Sequence, residues 1–152
     1  MLEQGEFADY TESFPTPRVT QDALPYWGAV KEGRLLFQRC PACRGAIFPP
    51  RSICPMCEAG ATPAWEESKG AGSIYSYSVV HRPPSAVWRA RSPYTIGLVR
   101  LDEDWFLFTE IEGKPEDMAV DKRVQVAFPE REVPLQRRNQ TVLSFYWQLL
   151  RE

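Results

Sequence analysis

Apolar residues along this chain fall into short, mostly alternating runs separated by proline, glycine and acidic turns. Ser73–Val80 is a run of β-formers, with Tyr75, Tyr77 and Val79 on one face and Ile74 and Val80 on the other. Tyr94–Leu101 is a second run of this kind. Asp102-Glu103-Asp104 then predicts a tight turn into Trp105–Ile111, so that these two runs form a hairpin. Arg123–Phe128 and Thr141–Leu149 add two more strands, and Pro115–Met118 has room for one helical turn. Five strands in about 80 residues, with no long helix between them, predict a small all-β barrel of Greek-key or meander type rather than an α/β sheet. Both faces of most strands carry apolar side chains, as in a closed barrel whose outer surface is itself covered.

The first third of the chain follows a different pattern. Residues 1–19 are polar and broken by proline (Phe14-Pro15-Thr16-Pro17), which reads as an extended arm. A short helical pattern comes next, with Pro25 suited to a first helical position, Tyr26 and Val30 four apart, and Gly33 as a stop. Gly28 inside it costs about 1 kcal/mol relative to alanine, so this helix requires tertiary support. Two roles are open to it: a packing helix, or an aromatic docking surface formed by Tyr26 and Trp27. Leu35-Leu36-Phe37-Gln38-Arg39-Cys40 is a short strand running into the first of four cysteines. From Cys40 to about Trp65 the chain is rich in Pro, Gly, Ala and Cys and poor in large aliphatics. A segment this small without its own core folds only around a metal or disulfides. The expected division is therefore an arm and helix over 1–34, a cysteine-bearing module over 35–67 and a barrel over 68–152.

Composition narrows the function classes. With 152 residues, 43% hydrophobic and 25% charged, the chain has enough apolar material for a core. Its apolar stretches are too short and interrupted for a membrane span. Fourteen prolines weigh against long helices. Met1–Tyr10 carries Glu3, Glu6 and Asp9 and no basic residue, unlike a signal or transit peptide, so a cytoplasmic protein is expected. A net charge of -2 excludes a histone-like polycation.

Within the cysteine module, Cys40-Pro41-Ala42-Cys43 and Cys54-Pro55-Met56-Cys57 are two CxxC pairs ten residues apart, each followed closely by glycine, Gly45 and Gly60. The two-residue gap lets both sulfurs of a pair face one point, with backbone amides near the pair free to donate to the thiolates. Two such knuckles give a tetrahedral S4 site, which suits structural zinc. Thioredoxin-like chemistry expects a single CxxC at a helix start, and disulfides do not suit a chain without a secretion signal. Iron in a rubredoxin-like S4 site uses the same ligand set and remains the competitor. Four thiolates leave no open position, so the metal holds shape and does no chemistry.

These residues carry a resemblance. Glu32-Gly33-Arg34-Leu35, Arg39-Cys40-x-x-Cys43, Phe48-Pro49-Pro50-Arg51 and Cys54-Pro55-x-Cys57 resemble the N-terminal half of the DUF35 family. Gly70-x-Gly72-Ser73-Ile74-Tyr75-Ser76-Tyr77, Val80-His81-Arg82-Pro83-Pro84 and Pro93-Tyr94-x-x-Gly97-Leu98-Val99-x-Leu101 are similar to its second half, so the likeness runs from about residue 20 to about 148. The chain departs from the family pattern at Val120-Asp121, where an Ile-Gly turn is usual, and at Phe145-Tyr146-Trp147, in place of Phe-x-Pro. The resemblance implies a rubredoxin-like zinc ribbon followed by a five-stranded OB-fold barrel. It also implies an acyl-CoA context: a non-catalytic partner of a thiolase-like subunit (a thiolase, an acyltransferase, or a retro-aldolase that shortens steroid side chains). Such a partner stabilises the enzyme and shapes its substrate channel, and an α2β2 heterotetramer is the expected assembly.

The residues agree that this chain is not itself an enzyme. His81 is the single imidazole and reads as a structural residue, no cysteine is spare, and no serine sits in a G-x-S-x-G setting. Glu66-Glu67 and Asp102 with Asp104 read as solvated turn residues. In an OB-fold, ligands meet the loops between strands 1 and 2 and between strands 4 and 5. The first holds Arg82, Trp88, Arg89 and Arg91, and the second holds Arg131, Arg137 and Arg138. Such arginines can stack bases, grip coenzyme A phosphates or pair with acidic residues of a protein partner. From residue 70 onward the sequence carries eleven basic and eleven acidic residues. A neutral domain is a poor non-specific nucleic-acid binder. The accessory-subunit reading therefore ranks above single-stranded nucleic-acid binding and above free acyl-CoA binding.

Overall fold

The computed structural model describes residues 19–128, 130–131, 142–143 and 146–149. A 3-10 turn at Gln21–Ala23 leads into helix α1, Leu24–Lys31, with Pro25 in its first turn, where its missing N–H costs nothing. The helix ends as a Schellman motif: Gly33 sits at φ 72°, its N–H bonds Val30 O at 3.1 Å, and Arg34 N–H bonds Ala29 O at 2.9 Å.

Three short strands follow: β1 (Leu36–Arg39), β2 (Ala46–Ile47) and β3 (Ala64–Glu67), in the order β2-β1-β3 and antiparallel throughout. Five longer segments build a closed barrel: β4 (Ala71–Val80), β5 (Tyr94–Leu101), β6 (Phe106–Glu112), β7 (Arg123–Ala127) and, after an interruption, β10 (Tyr146–Leu149). β10 closes it, running parallel to β6 and antiparallel to β7. With β4 paired to both β5 and β7, the barrel has the Greek-key connectivity of an OB-fold. A four-residue helix α2 (Ala86–Arg89) lies between β4 and β5, and a 3-10 turn at Pro115–Asp117 follows β6.

Two expectations need correction. Thr141–Leu149 is not one strand: β9 (Val142–Leu143) pairs with β8 (Glu130–Arg131) in a side hairpin, and only β10 joins the barrel. Tyr75, Tyr77 and Val79 do not share a face, because the β4–β5 register slips between Ile74 and Ser76. A bulge of this kind adds one residue and inverts the alternation beyond it. Tyr77 and Val79 thus stand opposite Gly97 and Thr95 on the interior side, while Tyr75 stays outside.

The core is shared between the two modules. Tyr26 and Val30 of α1 and Leu35 and Phe37 at β1 belong to the same buried cluster as Ile74, Val99, Leu101, Trp105, Leu107, Ile111, Met118 and Val124 of the barrel. Trp105 is the junction: Phe37 stacks on it at 5.5 Å, Phe48 lies 4.9 Å away, and Tyr26 packs on Phe48 at 5.3 Å. The linker is held as well. Glu103, at the tip of the β5–β6 turn, accepts from Ser68 Oγ at 3.0 Å and from the Lys69 N–H at 2.7 Å. In the turn at Val120-Asp121, Asp121 adopts φ 67°, a left-handed conformation aspartate tolerates, and its N–H bonds Ile74 O at 2.8 Å.

Candidate functional site

The four cysteines converge as their spacing predicts. Cys40 follows β1, and Cys43 closes a turn in which Arg44 N–H bonds Cys40 O at 2.9 Å. Glu58 N–H bonds Cys54 O at 3.3 Å in the second knuckle, and the residue after each pair, Arg44 or Glu58, takes a left-handed conformation at φ 63° or 49°. The knuckles touch at Gly45, where an added Cβ would fall 2.3 Å from Met56 Cε, so a larger residue there would require the exposed, flexible Met56 side chain to move aside. Across the site, Cys40 Sγ lies 3.6 Å from Cys57 Sγ and Cys43 Sγ lies 3.7 Å from Cys54 Sγ, with all four sulfurs within 4.8 Å of one another. A tetrahedral S4 site with metal–sulfur bonds of about 2.3 Å requires sulfur–sulfur edges of about 3.8 Å. The cluster is of the right size for one ion.

Its electrostatics point the same way. Amide donation from Cys43, then Ala42, and contacts with the Cys57 and Cys43 thiols hold the Cys40 thiol down at about 6, against the opposing effect of burial. The Ala59 amide works to lower Cys57, but the Cys40 thiol, burial and the Cys43 and Cys54 thiols outweigh it and leave that thiol at about 12. Four thiolates cannot share so small a volume without a cation. Cys40 and Cys54 are buried and Cys43 and Cys57 are exposed, so the cluster sits at the surface with one side sealed. Surrounding side chains fix its frame. Arg39, directly before Cys40, reaches Glu66 Oε2 at 2.7 Å and Arg44 O at 3.0 Å, and buried Gln38 accepts the Arg51 N–H at 2.7 Å between the knuckles.

The residues expected to meet partner or ligand are scattered. Tyr26 is 3% exposed and belongs to the core, so it is not a docking residue; burial pushes its hydroxyl well above the usual tyrosine range. Trp27 is half-buried, edge-on to Tyr26 at 5.2 Å. Trp88 packs on Tyr94 at 5.0 Å, and Arg91 lies over its ring while binding Glu110 through both nitrogens at 3.2 and 2.5 Å. Arg89 donates to Pro84 O at 2.7 Å within its own loop. Arg89 and Arg91 thus brace the first loop, while Arg82 and His81 are exposed beside it. Arg131 lies in β8, and Arg137 and Arg138 lie outside the described residues. One group was missed: Phe106 and Phe108, which alternate outward on β6 while Leu107 and Ile111 point inward. The two-residue period of Phe106-Leu107-Phe108 carried that signal, hidden because apolar residues occupy both faces.

Residues 27–63 match the family model described as "ChsH2, rubredoxin-like zinc ribbon domain", and residues 65–129 match "ChsH2, C-terminal OB-fold domain". A probable enoyl-CoA hydratase alpha subunit of Thermomonospora curvata is 35% identical over 117 residues, 76% of this chain but 34% of that protein, so the chain spans about a third of its length. A DUF35 domain-containing scaffold protein of Methanocaldococcus jannaschii is 36% identical over 106 residues, 67% of this chain and 73% of that one. Among solved structures, the Ltp2-ChsH2(DUF35) aldolase superposes with a TM-score of 0.72 at 27% identity, covering 88% of this chain and 98% of the matched chain. No helix among the described residues is long and apolar enough to cross a membrane. With matches to a rubredoxin-like zinc ribbon and an OB-fold domain, and 36% identity to a DUF35 scaffold protein over 73% of its length, this chain belongs to the DUF35 family.

Proposed function

We propose that this chain is a non-catalytic accessory subunit of a thiolase-like enzyme acting on acyl-CoA thioesters in the cytoplasm. It stabilises that enzyme and shapes its substrate channel within an α2β2 assembly. The observation that supports the reading is the likeness to a chain of the Ltp2-ChsH2(DUF35) aldolase: it takes in 88% of this chain and 98% of that one, so ribbon and barrel are matched together rather than one module. The chemistry of this chain supports the same role. All four cysteines are committed to the S4 cluster, which with zinc bound has no open coordination position. The one histidine, His81, is exposed at the end of β4. The sequence holds no fifth cysteine to serve as a thiol nucleophile and no second histidine to pair with His81.

Co-expression with the thiolase-like protein encoded nearest to this chain in its own genome tests the reading. The two proteins are expected to elute together, with turnover of acyl-CoA substrate only in the mixture and none from this chain alone. His81→Ala in the complex is expected to leave turnover within about twofold, since no general-base contribution of 100-fold or more is lost. Separate elution, or loss of turnover with His81→Ala in an intact complex, overturns the proposal. Micromolar binding of acyl-CoA by the chain alone, without complex formation, would replace it with a free acyl-CoA-binding role.

A further inference from the structure

The outer face of β4, β5 and β6 carries a cluster of large apolar side chains that the barrel does not cover. Phe108 is 66% exposed, Tyr75 57% and Phe106 39%, and Tyr75 meets Phe106 edge to face at 5.1 Å. Half-buried Leu98 stands opposite Phe108 in the register and Ile96 follows it on the same face, extending the surface along β5. Taking about 200 Å² for each aromatic residue, the three rings leave roughly 300 Å² exposed in one place. That is enough for the apolar centre of an interface that buries about 800 Å² on each partner, and it falls in the range of about 300–600 Å² of the largest, often functional, patch on a monomer.

This is the OB-fold face that elsewhere meets oligonucleotides, so its charges decide the occupant. Single-stranded nucleic acid needs aromatic rings together with free cations along the backbone track. Here Arg100, opposite Phe106, is bound to Asp104 at 2.7 Å, and Arg91 is bound to Glu110 on β6 itself at 2.5 Å. Glu112 adds a further carboxylate on the same side of β6. The arginines on β5 and just before it are therefore already paired with carboxylates, which weakens the cationic track a nucleic-acid backbone needs, while the rings remain available.

We propose that this face, centred on Tyr75, Phe106 and Phe108, is the docking surface for an apolar, uncharged patch on the thiolase-like subunit. The assignment rests on the accessory-subunit reading above and names the surface through which it acts. The test is binding of the wild-type chain, a Phe106→Ser/Phe108→Ser double variant and a Leu24→Ser control to the same thiolase-like protein, measured by titration calorimetry. Because both phenylalanines point to solvent, the double variant is expected to keep its metal content and far-UV circular dichroism. It is expected to raise Kd roughly 30-fold or more, as loss of central aromatic anchors does, with the control unchanged. If the wild type binds and the double variant binds equally well, this face is not the interface, although the accessory role stands. If the wild type does not bind, both fall. Submicromolar, salt-sensitive binding of a single-stranded oligonucleotide that the double variant abolishes would assign the face to nucleic acid instead. A wild-type dimer that the double variant turns into a monomer would assign it to a second copy.

Discussion

Arg44 and Glu58 hold left-handed backbone conformations immediately after the two CxxC pairs, where a side chain works against the turn. The Arg44 side chain is exposed, and it is its backbone oxygen that serves Arg39. Arg44→Gly is therefore expected to stabilise the metal-loaded protein by about 1 kcal/mol, read as a higher urea midpoint with an unchanged slope; a lower midpoint would show that the side chain contributes more than the turn costs. Asp102 offers a pH-dependent case. It binds Arg123 through both oxygens at 2.7 Å, tying the β5–β6 turn to β7. Hydrogen bonding to Arg123 lowers its carboxyl below the ordinary value, partial burial opposes this, and the charges of Arg123 and Lys69 add to the lowering. With the folded value depressed, the stabilisation is present above the unfolded value of about 3.9 and is lost as pH falls through the folded one. Both groups are nearly half exposed, so the pair contributes only roughly 0.5 kcal/mol. Asp102→Asn should lower stability by that amount at neutral pH and by almost nothing near pH 2, and an equal difference at both would refute the ion pair as the cause.

At the level of the elements, Glu103 links the tip of one hairpin to the segment that joins ribbon and barrel. Glu103→Ala removes two charge-assisted acceptors and is expected to cost about 1–2 kcal/mol. Limited proteolysis should then cut near residues 68–70 more quickly, and Glu103→Gln should fall between the two; unchanged cleavage would mean that the packed core alone holds the linker. The sequence made some elements plain and hid others for physical reasons. The barrel strands were readable because runs of β-formers end at Gly, Pro and acidic turn residues such as Asp102-Glu103-Asp104, and the cysteines because CxxC spacing has few other uses. β2 and β3 were not, since two and four residues carry too little periodicity. The slip beside Tyr75 was hidden because register belongs to a pair of strands rather than to one. The burial of Tyr26 depends on Phe48 and Trp105, which lie far along the chain and leave no local mark beside it.

For the whole molecule, the ribbon and the barrel share the aromatic stack of Phe37, Trp105, Phe48 and Tyr26. One zinc per chain is expected by elemental analysis, held by Cys40, Cys43, Cys54 and Cys57, and Cys54→Ser should release it. Structural sites of this kind contribute on the order of 10–16 kcal/mol of apparent binding free energy at neutral pH. A chelator should therefore lower the melting temperature of the entire chain, with tryptophan fluorescence and far-UV circular dichroism changing together. Iron in place of zinc would correct the metal, and a barrel transition that stays where it was after chelation would show that the modules are independent.

That stack also bears on inheritance. A gene rearrangement that parted the ribbon from the barrel would leave Phe37, Leu35 and Trp105 in water, at a cost of roughly 1.5–3 kcal/mol for each large side chain. Neither piece would then be an innocuous spare part: each would carry a sticky aromatic wound and invite aggregation. The two halves are bound to be copied, fused onto longer polypeptides and lost as a single cassette, even though metal and barrel do their work at opposite ends of it.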